Sequence, residues 1–178
     1  RADYLATLGI SHLYCSPYLQ AAPGSTHGYD VVDHARVNEE LGGEEGRRRL
    51  VEVLRSRGMS HLLDVVPNHM SVATRQNRWW WDLLENGPAS RYSRFFDVEW
   101  DADEKRLRNK LLLPILGDHY GRVQRDGHIR VRREETAEGG STFVVTAYEE
   151  HVLPVAPESL AEPLSHAAEV LHSDELGF

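Results

Sequence analysis

The 178-residue sequence has one cysteine, Cys15, and two methionines. A lone thiol excludes an internal disulfide framework and a cysteine-rich zinc site, and it fits a reducing cytoplasm. Positive charge is scarce: 20 Lys and Arg against 28 Asp and Glu leave a net charge of −8. An acidic chain is a poor match to nucleic acid or an anionic membrane, so neither is expected as a partner. No apolar run has the length of a membrane-crossing helix. The ten histidines contain no His-x-x-x-His pair with a third ligand, so no metal is expected and no cofactor signature is present. What is there is ordinary globular composition, 40% hydrophobic and 27% charged, which argues against disorder of the whole chain. Arg1-Ala-Asp-Tyr4 reads as helical sequence rather than a secretory leader, and Gly177-Phe178 follows a helical pattern directly. With no methionine at position 1, the chain is expected to be part of a longer protein.

The first 69 residues carry an α/β rhythm. Tyr4, Leu5 and Leu8 share a helical face over residues 2–8, and Gly9 is a stop. Ile10–Cys15 reads as a short buried strand. Residues 16–42, punctuated by Pro17, Pro23, Gly24, Gly28, Gly42 and Gly43, read as a long loop. A helix is expected from about Glu44 to Arg57, with Leu50, Val51 and Leu54 as its apolar stripe and Gly58 as its end. His61–Val66 is a second buried strand. Helix, glycine and strand recur in that order, which predicts parallel strands joined by a crossover helix. The long first loop favours an eightfold barrel over an open sheet. The fold class expected is therefore α/β: strands two and three of a (β/α)8 TIM barrel over 1–69, a β-containing inserted subdomain over the barrel mouth at 70–150, and at 151–178 a helical continuation or return to the barrel. Within the insertion, Asp126-Gly127 in the alternating stretch Arg122–Arg132 predicts a hairpin, and Thr142–Tyr148 a strand.

Two clusters carry chemistry. Asp64-Val-Val-Pro-Asn68-His69 lies where an apolar strand runs into a loop, the place where barrel enzymes put active-site groups. Pro67 ends the strand, and Asn68 and His69 then face the mouth; the competing reading makes Asp64 and His69 internal structural polar groups. Ser25-Thr-His27-Gly28-Tyr29-Asp30 offers an aromatic face for a pyranose and a carboxylate for its hydroxyls; the competing reading is a turn with a packing tyrosine. Of Trp79-Trp80-Trp81, at least one is expected in the core, since consecutive helical side chains diverge. Asp97, Glu99, Asp101 and Asp103 fail the calcium-loop pattern, because Ala102 replaces the turn glycine and Arg108 the closing glutamate. Cys15 is read as a core residue.

Together these residues resemble the alpha-amylase superfamily of glycoside hydrolases. Asp64–His69 is similar to its first conserved region and His27-Gly28-Tyr29-Asp30 to its tyrosine loop. Tyr14-Cys-Ser-Pro-Tyr18, Gly24–Val31, Asn38–Gly43, Glu85-Asn-Gly-Pro88, Phe96–Trp100 and Leu112–Asp118 bring it nearer to the superfamily's (1→4)-α-D-glucan 1-α-D-glucosylmutase branch. The resemblance implies that Tyr29 stacks on the glucose at the cleavage subsite and that Asp30 holds its hydroxyls. It implies that His27 and Asn68 line the same site and that His69 binds the sugar and stabilises transition-state charge. Asp64 supports the mouth. Asn68 ligates calcium in many amylases, but this branch is not expected to need it. The catalytic nucleophile and acid are expected downstream, so none is assigned among these residues. The implied substrate is a maltooligosaccharide and the implied pathway partner a maltooligosyl trehalose trehalohydrolase, with a monomeric full-length enzyme. A hydrolase or 4-α-glucanotransferase of the superfamily, or a non-catalytic carbohydrate-binding protein using Tyr29 and the tryptophans, are the alternatives.

Overall fold

A computed structural model describes residues 1–137 and 139–171. It divides the chain into two compact units, Arg1–Arg78 and Trp79–Phe178. The expected 151–178 segment holds a strand and a helix as far as residue 171, and its last part, 172–178, lies outside the described residues.

In the first unit, helix α1 (Ala2–Thr7) leads to strand β1 (His12–Cys15), and helix α2 (Gly43–Ser56) leads to strand β4 (Ser60–Leu63). The two helix ends are built alike. Gly9 and Gly58 both take positive φ, +80 and +66, and the next residue turns its N–H back into the helix, Ile10 to Leu5 O and Met59 to Leu54 O. The first cap consumes the start of the expected Ile10–Cys15 strand, so β1 starts at His12, while β4 runs from Ser60 to Leu63 rather than over the expected His61–Val66. β1 and β4 pair in parallel, with Leu13 opposite His61 and Cys15 opposite Leu63. Along α2, Glu44 pairs with Arg47 and Arg48, and Glu45 with Arg49, at i+3 and i+4 spacing. Leu54, 1% exposed, anchors the buried stripe of that helix.

The strands are not buried as expected. Side chains alternate across a strand. Leu13, Cys15 and His61 are half-buried, and Cys15 lines a cavity of about 190 Å³ with Gly46, Arg47 and Leu50 of α2. On the other face Tyr14 is 55% and Leu62 57% exposed. A strand becomes buried only when both of its faces are covered, and among the described residues this pair has α2 on one side alone. Cys15 is accordingly half-buried rather than a core residue, and its thiol is pushed up by burial.

The expected loop 16–42 is also corrected. It contains strands β2 (Leu19–Ala21) and β3 (Val31–Val37), paired antiparallel with register shifts on both sides of Gln20. Ala21, Val31 and Val32 are among the most deeply buried side chains of the unit. The prolines and glycines sit before, between and after the strands, so they punctuate the stretch without preventing pairing.

Helix α3 (Arg78–Asn86), all but its first residue in the second unit, buries Trp80 and Leu83. Trp80 packs against Phe96 at 5.1 Å, while Trp79 stacks on Tyr92 at 5.4 Å and meets Phe95 at 5.1 Å. Further along, helix α4 (Tyr120–Arg125) precedes a three-stranded antiparallel sheet of β5 (Ile129–Glu135), β6 (Ser141–Ala147) and β7 (His151–Pro154), in that order. Helix α5 (Ala161–Leu171) follows. Asp126-Gly127 is not the expected hairpin turn. It closes α4, with the Gly127 N–H returning to Gln124 O and the His128 N–H to Val123 O. The hairpin lies between β5 and β6 instead. Val123, 2% exposed, explains the difference: burying it holds residues 120–125 as a helical turn.

Candidate functional site

The sequence-predicted residues of the first unit meet just beyond the C-terminal ends of β1 and β4. Leu62 is the register partner of Tyr14. Asp64, two residues on, therefore lies on the same face, one step nearer the strand ends. Tyr14 Oη donates to Asp64 Oδ2 at 2.5 Å, and Tyr29 Oη donates to the same oxygen at 2.8 Å. The Asp64 backbone N–H is tied to Cys15 O, which holds its backbone at the rim. The hydrogen bonds from Tyr14 and Tyr29 hold the Asp64 carboxyl below the usual range, and the hydrogen bond to Asp64 raises the Tyr14 phenol above its ordinary value.

Gly28 makes the turn that presents Tyr29. It has φ +81, and a Cβ there would lie 2.0 Å from Pro17 O. No side chain fits between this turn and the Pro17 carbonyl. The Gly28 N–H donates to Ser25 Oγ at 3.1 Å, and the Ser25 hydroxyl donates to the Asp30 carboxylate. His27 stacks beside Tyr29 with ring centroids 6.0 Å apart, and its Nδ1 accepts the Tyr29 N–H at 3.1 Å. That nitrogen also lies 3.7 Å from Asp30 Oδ1. A nitrogen that accepts an N–H carries no proton, so this contact is not a charged pair.

The segment after β4 is stitched to β3 and its approach at three points. His34 Nε2 meets Val66 O at 2.8 Å, His69 Nε2 meets Tyr29 O at 3.2 Å, and the Ser71 N–H donates to Val31 O at 2.8 Å. A carbonyl only accepts, so both histidines carry hydrogen on Nε2. For His69 this leaves Nδ1 to act as acceptor when the ring is neutral and as donor when it is charged. Tyr29, Asp30, His27, Asp64 and His69 are thus brought together, and Asn68 is exposed beside His69.

Three residues without a role in the sequence reading belong to this cluster: Tyr14, Ser25 and His34. Tyr14 and Asp64 are 50 positions apart, and only the β1–β4 register relates them. A signal existed in the parallel-strand expectation, which puts alternate residues of both strands on one face. His34 was concealed because β3 was read as loop. Among the described residues no group of three His, Cys, Asp or Glu is arranged to hold a metal ion, and no helix is long and apolar enough to cross a membrane.

The chain is similar to several known proteins. A Mycobacterium tuberculosis protein provisionally named maltooligosyl trehalose synthase is 51% identical over 116 residues, 65% of this chain and 15% of its own length. The intracellular maltogenic amylase of Bacillus subtilis is 34% identical over 122 residues, 68% of this chain and 18% of its own. Among solved structures, the maltooligosyltrehalose synthase of Arthrobacter ramosus superposes with a TM-score of 0.71 at 39% identity, over 87% of this chain and 18% of that one. The chain thus spans less than a fifth of the length of each of these relatives. The alpha amylase catalytic domain family matches residues 1–122, which include both strands of the parallel pair and every residue of the cluster, and to that family this chain belongs.

Proposed function

We propose that this chain forms the sugar-holding side of the active site in an enzyme that converts the reducing-end α-1,4 bond of a maltooligosaccharide to an α,α-1,1 bond. The observation that carries this reading is the gathering of Tyr29, Asp64 and His69 at the C-terminal ends of a parallel strand pair, where barrel enzymes do their chemistry. Tyr29 offers a 42%-exposed ring, suited to the apolar face of a glucosyl unit. Asp30, His27 and Asn68 offer partners for its hydroxyls. His69 Nδ1 supplies the hydrogen bond that strengthens as positive charge develops on the sugar ring. Asp64 holds Tyr29 in place.

A retaining reaction needs two carboxyl groups roughly 5–5.5 Å apart across the scissile bond. Asp64 Oδ2 accepts two phenolic hydrogen bonds and Asp30 Oδ1 accepts one from Ser25, which suits these acids to holding Tyr29 and its turn. In this reading both catalytic carboxylates come from other residues of a longer protein. The released glucose re-attacks the glucosyl-enzyme in place of water, which requires a pocket that excludes solvent. The kinship with trehalose-forming enzymes supports this over hydrolysis. A cytoplasmic, monomeric enzyme acting before a maltooligosyl trehalose trehalohydrolase completes the proposal.

The test is incubation of the full-length protein with maltopentaose. The expected result is a non-reducing product of unchanged mass. New reducing ends would replace the reading with a hydrolase, a ladder of longer and shorter chains with the number of reducing ends unchanged would replace it with a glucanotransferase, and binding without turnover would replace it with a carbohydrate-binding module.

A further inference from the structure

We propose that Tyr14 is a positioning residue for the sugar-facing ring of Tyr29, acting through the carboxylate of Asp64. The inference rests on the functional reading of Tyr29 given above. Both phenols donate to one oxygen, Asp64 Oδ2, at 2.5 and 2.8 Å. Both rings stand largely in the open, Tyr14 55% and Tyr29 42% exposed. Exposed rings have few packing contacts to choose their rotamer; beside the stacked ring of His27, the shared carboxylate is the hydrogen-bonded tie that orients Tyr29.

Asp64 alone is a weak fixture. A carboxylate can turn about its side-chain torsions, and one phenol on one oxygen leaves that rotation open. Tyr14 approaches from β1, a different strand, and closes a three-residue link between β1, the end of β4 and the Gly28 turn. The Asp64 carboxylate is thereby presented to Tyr29 at a fixed position before sugar arrives. Such pre-organisation lowers the ordering cost of binding. Tyr14 touches no sugar in this scheme, and its effect passes through a hydrogen bond.

The experiment uses the full-length protein with maltopentaose. Tyr14→Phe removes the hydroxyl and keeps the ring, so folding is disturbed least. Saccharide affinity is measured calorimetrically, KM and kcat are measured separately, and the active fraction is titrated. The expected result is affinity weakened and KM raised by about tenfold, the order of one hydrogen bond to a charged group, with the active fraction unchanged. Tyr29→Phe, which cuts the other arm, should give a similar loss, and the two together no more than either. In an Asp64→Ala background, which leaves neither phenol its acceptor, Tyr14→Phe should change affinity less than twofold. A merely structural role would lower the active fraction and leave KM of the surviving enzyme unaltered. An unchanged KM and affinity, or a tenfold effect that persists in Asp64→Ala, overturns the proposal. Wild-type protein that binds maltopentaose but makes no trehalose-ended product overturns the functional reading, while its affinity series still decides the role of Tyr14. Wild-type protein with no saccharide affinity overturns both.

Discussion

Gly28→Ala tests whether the Tyr29 turn is held by steric necessity. Gly28 has φ +81, a region where a Cβ costs about 1–2 kcal/mol. The added Cβ would also lie 2.0 Å from Pro17 O and 3.0 Å from Pro17 C. Ordinary contact needs well over 3 Å, so the turn and the Pro17 backbone must part by more than about 1 Å. Pro17 is buried, and the carbonyl of the following Tyr18 accepts the Asn38 N–H, so that backbone is poorly placed to retreat. Overpacking of this kind costs about 1–3 kcal/mol, for a combined loss of about 2–5 kcal/mol. Gly24→Ala is the control: it has φ +73 and no atom within 4 Å of the added Cβ, so it carries the backbone term alone, about 1–2 kcal/mol. Thermal melts of the full-length variants, with maltopentaose binding measured alongside, read both effects. Gly28→Ala should be the less stable of the two, and it should bind saccharide more weakly because Tyr29 moves with the turn. Equal stability of the two alanine variants would refute the close-approach argument.

Three further outcomes follow from the cluster and from α2. Residues 1–178 by themselves should neither hydrolyse nor isomerise maltopentaose, and turnover lost on Asp30→Asn or Asp64→Asn would show those acids to be catalytic. In the full-length enzyme His69→Ala should lower kcat by about 10- to 1000-fold; unchanged kcat would remove His69 from the chemistry. Hydrogen bonds from Arg47 and Arg48 pull the exposed Glu44 carboxyl from its ordinary 4.5 down to about 2. A lowered carboxylate contributes stability that is fully present above pH 4.5 and is lost as pH falls towards 2. Glu44→Gln should therefore flatten the pH dependence of melting in that window, and an identical dependence in both proteins would show that the pairing adds nothing to stability.

The order of elements in the first unit was open to reading from local chemistry. Gly9 and Gly58 stop helices because only a residue without a Cβ enters positive φ at little cost. Leu50 and Leu54 recur at helical spacing, and the two apolar runs that follow the glycines are the strands that pair. The clusters Ser25–Asp30 and Asp64–His69 were legible for the same reason, being contiguous polar groups at strand ends. Tertiary structure alone decided the rest. Val31 and Val32 form a strand because Ala21 and its neighbours lie opposite them, a pairing across residues whose prolines and glycines signal loop. Val123 turned Asp126-Gly127 from a hairpin into a helix end, since burying that one side chain outweighs a local turn preference. The link from Tyr14 through Asp64 to Tyr29 spans three separate segments. No local pattern encodes it, because a hydrogen bond between distant residues depends on strand register, and register is set only when the strands meet.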